Sequence, residues 1–187
     1  MSPMADLGGI LLARHGETND NRLPLRFQGW VDTPLNDTGR TQARELAERV
    51  AGDGIRALWS SDLIRAQETA EIVGQRIGLA PHVDARLREG ARGRWEGHLM
   101  REIEREEPEL YAEWRRGGNF RFPGGESLLE QQQRVTAALT DIHAAAPQPT
   151  LVVCHGGSIR VMLCQADPRG LDAFHDFDVP NVAVIPL

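Results

Sequence analysis

"LLARHGETND", residues 11–20, opens as an apolar run and closes by setting an arginine and a histidine side by side. "LVVCHGGSIR", residues 151–160, has the same shape: an apolar run, then His155, two glycines and the beginning of a helical pattern. Short apolar runs bounded by turn signals read as buried strands. Both runs therefore deliver a histidine to the carboxyl end of a strand, and the simplest fold places both ends at the same edge of one sheet.

Working outward, further strand-like runs cover residues 9–14, 55–60, 151–155 and 182–186. Helical periodicity fills the spaces, over residues 38–50, 63–77, 127–145 and 157–164. The first helix follows "PLNDTG", where Asn36 or Asp37 can cap the opening turn. Residues 100–116 are highly charged and interrupted by Pro108, which predicts two short helices. Strands alternating with helices predict an α/β fold: a three-layer sandwich with a mostly parallel central sheet and helices on both faces. The 98–125 region is expected to form a small helical cap, and the 187 residues to make a single domain. In such sheets, ligands bind beyond the carboxyl ends of the strands.

Composition narrows the chemistry. The net charge is −6, which disfavours nucleic acid as a partner. All 21 basic residues other than histidine are arginine. A chain without lysine has no Walker A, kinase or Schiff-base lysine, yet it can hold phosphate, because the guanidinium fork matches that anion. No run reaches the roughly 18 apolar residues that would span a bilayer, and the start shows no basic leader region. Two cysteines, Cys154 and Cys164, with no CxxC spacing, predict reduced thiols, no metal site and a cytoplasmic protein.

Several further groups can reach the same sheet edge. In "SSDLIRAQETA", Arg65 sits just inside the helix that follows the second strand. Gly156 and Gly157 permit close approach of backbone N–H groups to an anion at a helix start. "LREGARGRWEG", residues 87–97, supplies Glu89 and Glu96 in a glycine-rich loop; Glu89 is the better candidate, Glu96 a structural carboxylate. Arg92 or Arg94 is expected to face a second anionic group of the substrate. "CHGGSIR" also satisfies Cys-x5-Arg, so Cys154 with Arg160 is a rival nucleophile and phosphate loop. Against it, side chains 154 and 155 point to opposite faces of a strand.

In order along the chain, "RHGETNDN", "RFQGWVDTPLNDTGRTQA", "SSDLIRAQETA", "LREGARGRWEG", "PGGES" and "CHGGSIR" resemble the histidine phosphatase superfamily, in its phosphoglycerate-mutase-like branch. The resemblance implies His15 as nucleophile, with Arg14, Arg65 and His155 holding the phosphoryl group and Glu89 donating the proton. It implies further phosphate contacts from Asn21, Gln28, Gly29 and the Gly156 backbone. The expected activity is metal-independent hydrolysis of small phosphorylated metabolites through a phosphohistidine, releasing inorganic phosphate and using no cofactor. The alternatives are mutase-type phosphoryl transfer on the same site and a non-catalytic phosphate-binding protein. The compact "EGARGRWEG" and the short acidic "EREEPE" segment favour the phosphatase. An acid at Glu89 requires a raised pKa, so burial or a nearby anion has to outweigh the arginines. Phe120 and Phe122 are either walls for an apolar substrate portion or core residues. Monomer and homodimer both remain open.

Overall fold

The computed structural model describes residues 7–187. The leaderless reading of the amino terminus rests mainly on residues 1–6, outside the described residues. Strand β1 (Ile10–Arg14) pairs in parallel with β4 (Thr150–Cys154), which pairs in parallel with β2 (Ala57–Ser60). A two-residue strand β3 (His82–Val83) extends that edge, and β5 (Val184–Pro186) closes the other, antiparallel to β1. The order is β3-β2-β4-β1-β5. The single α/β domain is therefore built on a mostly parallel five-stranded sheet.

Alternation along the strands distributes the core to both faces. Ile10 and Leu12 of β1, with Val152 and Cys154 of β4, pack under α5 (Leu128–Ala145) and α6 (Gly156–Ala166). Ala13, Leu151, Val153 and Leu58 point the other way, against α1 (Asp37–Val50) and α2 (Ile64–Ile77). Asn36 is the cap of α1, its side chain accepting from the Gly39 N–H at 2.8 Å. Ser127 and Glu130 form a reciprocal capping box at the start of α5. The charged segment divides at Pro108 as expected, into α3 (Met100–Glu106) and α4 (Pro108–Arg115), with the proline in the first turn of α4, where its missing N–H costs nothing.

The cap rests on an aromatic cluster of Phe27, Trp95, Trp114, Phe120, Phe122 and Phe174. Phe120 and Phe122 are thus core residues, 3% and 1% exposed, and make no wall for a substrate. The Phe27 N–H donates to the His98 carbonyl, and residues 26 and 99 form an antiparallel bridge, so the loop after β1 is tied to the cap. Between loop and cap, beyond the carboxyl ends of β1 and β4, lies a cavity of about 250 Å³. Among the described residues, no helix is long and apolar enough to cross a membrane.

Candidate active site

His15 and His155 follow the ends of paired strands, since Arg14 stands in register with Cys154. Their rings approach edge to face, 5.1 Å between centroids, and both are buried. His15 Nδ1 lies 2.7 Å from the carbonyl of Gly16. A carbonyl can only accept, so Nδ1 carries the proton and Nε2 keeps its lone pair. Burial, followed by the charges of Arg65, His155 and Arg14, holds the His15 pKa well below the ordinary histidine value. The ring is neutral at pH 7, the form that can attack phosphorus.

His155 is fixed from its other nitrogen. Nε2 lies 2.8 Å from Ser61 Oγ, and that oxygen accepts the Leu63 N–H at 3.3 Å. Among the described residues His155 Nε2 is the acceptor within reach of the Ser61 hydroxyl hydrogen, so the hydroxyl donates to Nε2 and His155 carries its own proton on Nδ1. That Nδ1 is buried without a protein partner. Burial, and secondarily Arg65, keeps His155 neutral as well.

Arg65, the second residue of α2, is fully buried despite its charge. It donates through Nη1 to the Val31 carbonyl at 2.7 Å and through Nη2 to the Gly29 carbonyl at 2.8 Å, while Nε has no partner. Desolvation lowers its pKa to about 10, so it stays cationic. Arg14 donates through Nη1 to the Val179 carbonyl at 2.6 Å and likewise leaves a buried Nε unpartnered. Asn21 accepts the Thr18 N–H at 2.9 Å through Oδ1, and its buried Nδ2 has no acceptor. Gln28 donates to Thr18 Oγ1 at 2.6 Å. Gly29 contributes its carbonyl to Arg65 and adopts φ +51°, where any side chain would strike Glu96.

Among the described residues, eight buried side-chain polar atoms lack a hydrogen-bond partner, and four of them belong to this site: Arg14 Nε, Asn21 Nδ2, Arg65 Nε and His155 Nδ1. All four are donors. Leaving a buried donor unsatisfied costs about 1–3 kcal/mol, so buried polar groups are normally paired. Concentrating four such groups favours an occupant with several acceptor oxygens and negative charge.

Glu89 reaches the same cavity from the glycine-rich loop, and its ionisation departs from the sequence expectation. Oε1 accepts from the Gly90 N–H at 2.9 Å, the Gln131 amide at 2.9 Å and Arg92 Nη2 at 3.2 Å; Oε2 accepts from the Gly157 N–H at 2.9 Å. Burial is the largest single influence and pushes the pKa up, but Arg92, the two backbone N–H groups and Gln131 together outweigh it and bring it to about 2. Glu89 is a carboxylate here. The Gly157 N–H, expected to face an external anion, serves this internal one. A Cβ at position 157 would lie 2.2 Å from Glu89 Oε1, so a side chain there has to displace the carboxylate. At Gly156, a Cβ would lie 3.3 Å from Arg14 Nε.

The remaining candidates separate. Arg94 is exposed and pairs with Glu107, away from the cavity, so it faces no substrate group. Arg92 does line the cavity, but its charge is committed to Glu89 and its guanidinium lies 4.3 Å from the Phe122 ring centroid. Glu96 is structural, its Oε1 accepting the Trp30 and Arg92 N–H groups at 3.0 and 2.9 Å. The thiol of Cys154 is buried on the face opposite His155, where desolvation raises its pKa to about 12, far from a thiolate nucleophile. Ser61, Gln131 and Arg134 escaped the sequence reading. Arg134 donates to the carbonyls of Arg86, Arg88 and Glu89 and pairs with Glu126, fixing the backbone that presents Glu89. For Ser61, its place at the end of β2 was the available signal; Gln131 and Arg134 lie mid-helix, where nothing local marks them.

Known proteins share this arrangement of elements. The chain is 35% identical over 162 residues to the glucosyl-3-phosphoglycerate phosphatase of Mycobacterium tuberculosis, covering 82% of this chain and 72% of that protein. It is 37% identical over 156 residues to the probable phosphoglycerate mutase GpmB of Yersinia pestis, covering 82% and 72%. The solved structure of a mycobacterial glucosyl-3-phosphoglycerate phosphatase complexed with VO3 superimposes with a TM-score of 0.86 at 31% identity, covering 94% of this chain and 90% of that one. The phosphoglycerate mutase of Thermus thermophilus gives 0.70 at 34% identity, with coverage of 94% and 90%. The profile of the histidine phosphatase superfamily (branch 1) matches residues 10–187, and the chain belongs to that family.

Proposed function

We propose that the protein hydrolyses small phosphomonoesters through a phosphohistidine on His15, within one catalytic domain spanning residues 1–187. The observation that carries this reading is the group of four unspent buried donors beside a neutral imidazole. A phosphoryl group supplies acceptor oxygens for Arg14 Nε, Asn21 Nδ2, Arg65 Nε and His155 Nδ1 at once, while Gln28, Gly29 and Gly156 shape the wall around it. Phosphoryl transfer demands mostly positioning and charge stabilisation of this kind. The guanidinium groups of Arg14 and Arg65 supply the charge that opposes the equatorial oxygens.

In the first step, His15 Nε2 forms a bond to phosphorus as the ester P–O bond breaks, and the departing alkoxide takes a proton from Glu89. Because Glu89 is ionised beside Arg92, that proton arrives with the substrate: the docking anion raises the carboxyl pKa, and the monoanionic ester supplies the hydrogen. In the second step, water attacks phosphorus, the P–N bond breaks, and Glu89, again a carboxylate, accepts the proton of the water. Inorganic phosphate leaves with the proton held by Glu89, which returns to the carboxylate, and His15 is regenerated. A cavity of about 250 Å³ suits a metabolite better than a folded phosphoprotein.

The test is a metabolite panel assayed for released phosphate, with His15→Ala as control and acid-labile phosphate on the protein trapped by rapid quench. Hydrolysis with a trapped intermediate supports the reading, and EDTA leaves the rate unchanged. Interconversion of 2- and 3-phosphoglycerate without phosphate release would make the protein a mutase. Full activity of His15→Ala would exclude the mechanism.

A further inference from the structure

The carboxyl group of Glu89 is held unevenly. Oε1 accepts from the Gly90 N–H at 2.9 Å, Gln131 Nε2 at 2.9 Å and Arg92 Nη2 at 3.2 Å, whereas Oε2 accepts from the Gly157 N–H at 2.9 Å. An ionised carboxylate offers about two lone-pair sites on each oxygen. Oε1 is therefore filled, and Oε2 keeps one site open. Glu89 and Gly157 are walls of the cavity, while Gln131 and Gly90 do not border it.

Of the three donors on Oε1, Gly90 and Arg92 belong to the same loop as Glu89 and travel with it. Gln131 is fixed in α5, where it is fully buried. Its amide can point in one direction. Ser158 Oγ donates to the Arg88 carbonyl at 2.9 Å, so it accepts from Gln131 Nε2 at 3.2 Å. Both hydrogens of the amide nitrogen are spent, one on Glu89 and one on Ser158. Turning the amide over would set its carbonyl against a carboxylate. The arrangement leaves Gln131 Oε1 buried without a partner, a state that folded proteins normally avoid. An apolar side chain at position 131 would fill the same space without that cost, so packing gives no reason for an amide here. Three residues further along the same face of α5, Arg134 donates to the carbonyls of Arg86, Arg88 and Glu89. One helix face thus grips both the backbone and the carboxyl group of a single loop. Gly90 completes the fit, since a side chain there would strike Gln131 Oε1.

We infer that Gln131 is a positioning residue that fixes the rotation of the Glu89 carboxyl group, turning Oε1 inward and leaving Oε2 to carry the proton in both transfers. The assignment deepens the phosphomonoesterase reading and rests on it for the role of Glu89. In the first step the Oε2–H bond breaks as the leaving alkoxide gains that proton. In the second, the proton of the attacking water goes to Oε2 and departs with phosphate. Without the Gln131 N–H the carboxyl group turns more freely, and the proton spends time on an oxygen that faces no leaving group.

The test compares phenyl phosphate with 2,4-dinitrophenyl phosphate, whose leaving oxygens differ in how much they need a proton. The ratio kcat/KM covers the steps up to release of the alcohol, so it isolates the acid role. Glu89→Gln supplies the reference pattern, a large loss with phenyl phosphate and a much smaller one with the dinitrophenyl ester. Gln131→Leu and Gln131→Met should follow that pattern, lowering kcat/KM for phenyl phosphate by about tenfold or more, with unchanged circular dichroism. Both variants also remove a donor that favours the carboxylate, so the acid limb of kcat should move to higher pH. In a Glu89→Gln background, Gln131→Leu should cause no further loss, because the residue acts through that carboxyl group. Equal losses for the two esters, a full additional loss in the Glu89→Gln background, or wild-type kinetics in both single variants would overturn the assignment. Failure of the phosphatase reading shows separately, as wild-type protein that turns over neither ester and traps no phosphohistidine.

Discussion

Ser61→Ala isolates the device that gives His155 its proton arrangement. The wild-type hydroxyl accepts the Leu63 N–H at 3.3 Å and approaches His155 Nε2 at 2.8 Å, directing the ring proton to Nδ1. Removing the hydroxyl deletes a net contribution of about 1 kcal/mol to that tautomer. The ring is then free to carry its proton on Nε2, and Nδ1 changes from donor to acceptor, facing a phosphoryl oxygen with a lone pair. The lost interaction is a hydrogen bond to a charged acceptor, worth about 1.5–3 kcal/mol, or roughly 10–150-fold in rate. The assay is kcat/KM for p-nitrophenyl phosphate, paired with nitrogen-15 NMR of the His155 ring to read the tautomer directly. A fall of about 10–150-fold together with a tautomer change is expected. Unchanged kcat/KM with His155 still protonated on Nδ1 would refute the reasoning, since the hydroxyl would then control neither proton nor rate.

Arg92→Met removes the largest influence holding Glu89 down, and should raise its pKa from about 2 by about one to three pH units. Because the carboxylate is the base for dephosphorylation, activity is lost as pH falls through that pKa. The variant should therefore show an acid limb in kcat at higher pH than wild type, and superimposable profiles would contradict the pairing. Gly157→Ala drives a methyl group to 2.2 Å from the Glu89 carboxylate; overpacking of this kind costs about 1–3 kcal/mol. Differential scanning calorimetry should register that loss and kcat should drop, whereas a wild-type melting temperature with full kcat would show that the loop yields freely. Iodoacetamide should spare activity, because the buried Cys154 thiol has its pKa raised to about 12; inactivation matched to alkylation of Cys154 would revive the cysteine nucleophile.

How far the sequence could be read depends on the range of the interactions involved. The strands ending at Arg14 and Cys154 announce themselves locally, through apolar runs that stop at charged or glycine residues, and the structure pairs them in register. Asn36, Pro108 and Ser127 mark helix starts by chemistry confined to one turn. The ionisation of Glu89 is a different kind of fact. It depends on Gln131, 42 positions away, and on the Gly157 N–H, 68 positions away, both brought in by packing. Weighing burial against the arginines from sequence alone left the sign open, and four donors on one carboxyl decide it. Arg92 and Arg94, two residues apart, could not be ranked until the 3-10 turn Gly93–Trp95 sent one inward and the other out. The antiparallel direction of β5 was likewise hidden, since three residues of edge strand carry no directional pattern.

The most direct measurement of the whole account is a crystal structure of the protein grown with orthovanadate. One vanadium centre should lie in line with His15 Nε2, its oxygens within hydrogen-bond distance of Arg14 Nε, Asn21 Nδ2, Arg65 Nε and His155 Nδ1. Vanadate bound elsewhere, or seated in the cavity while those four nitrogens stay unpartnered, would contradict it.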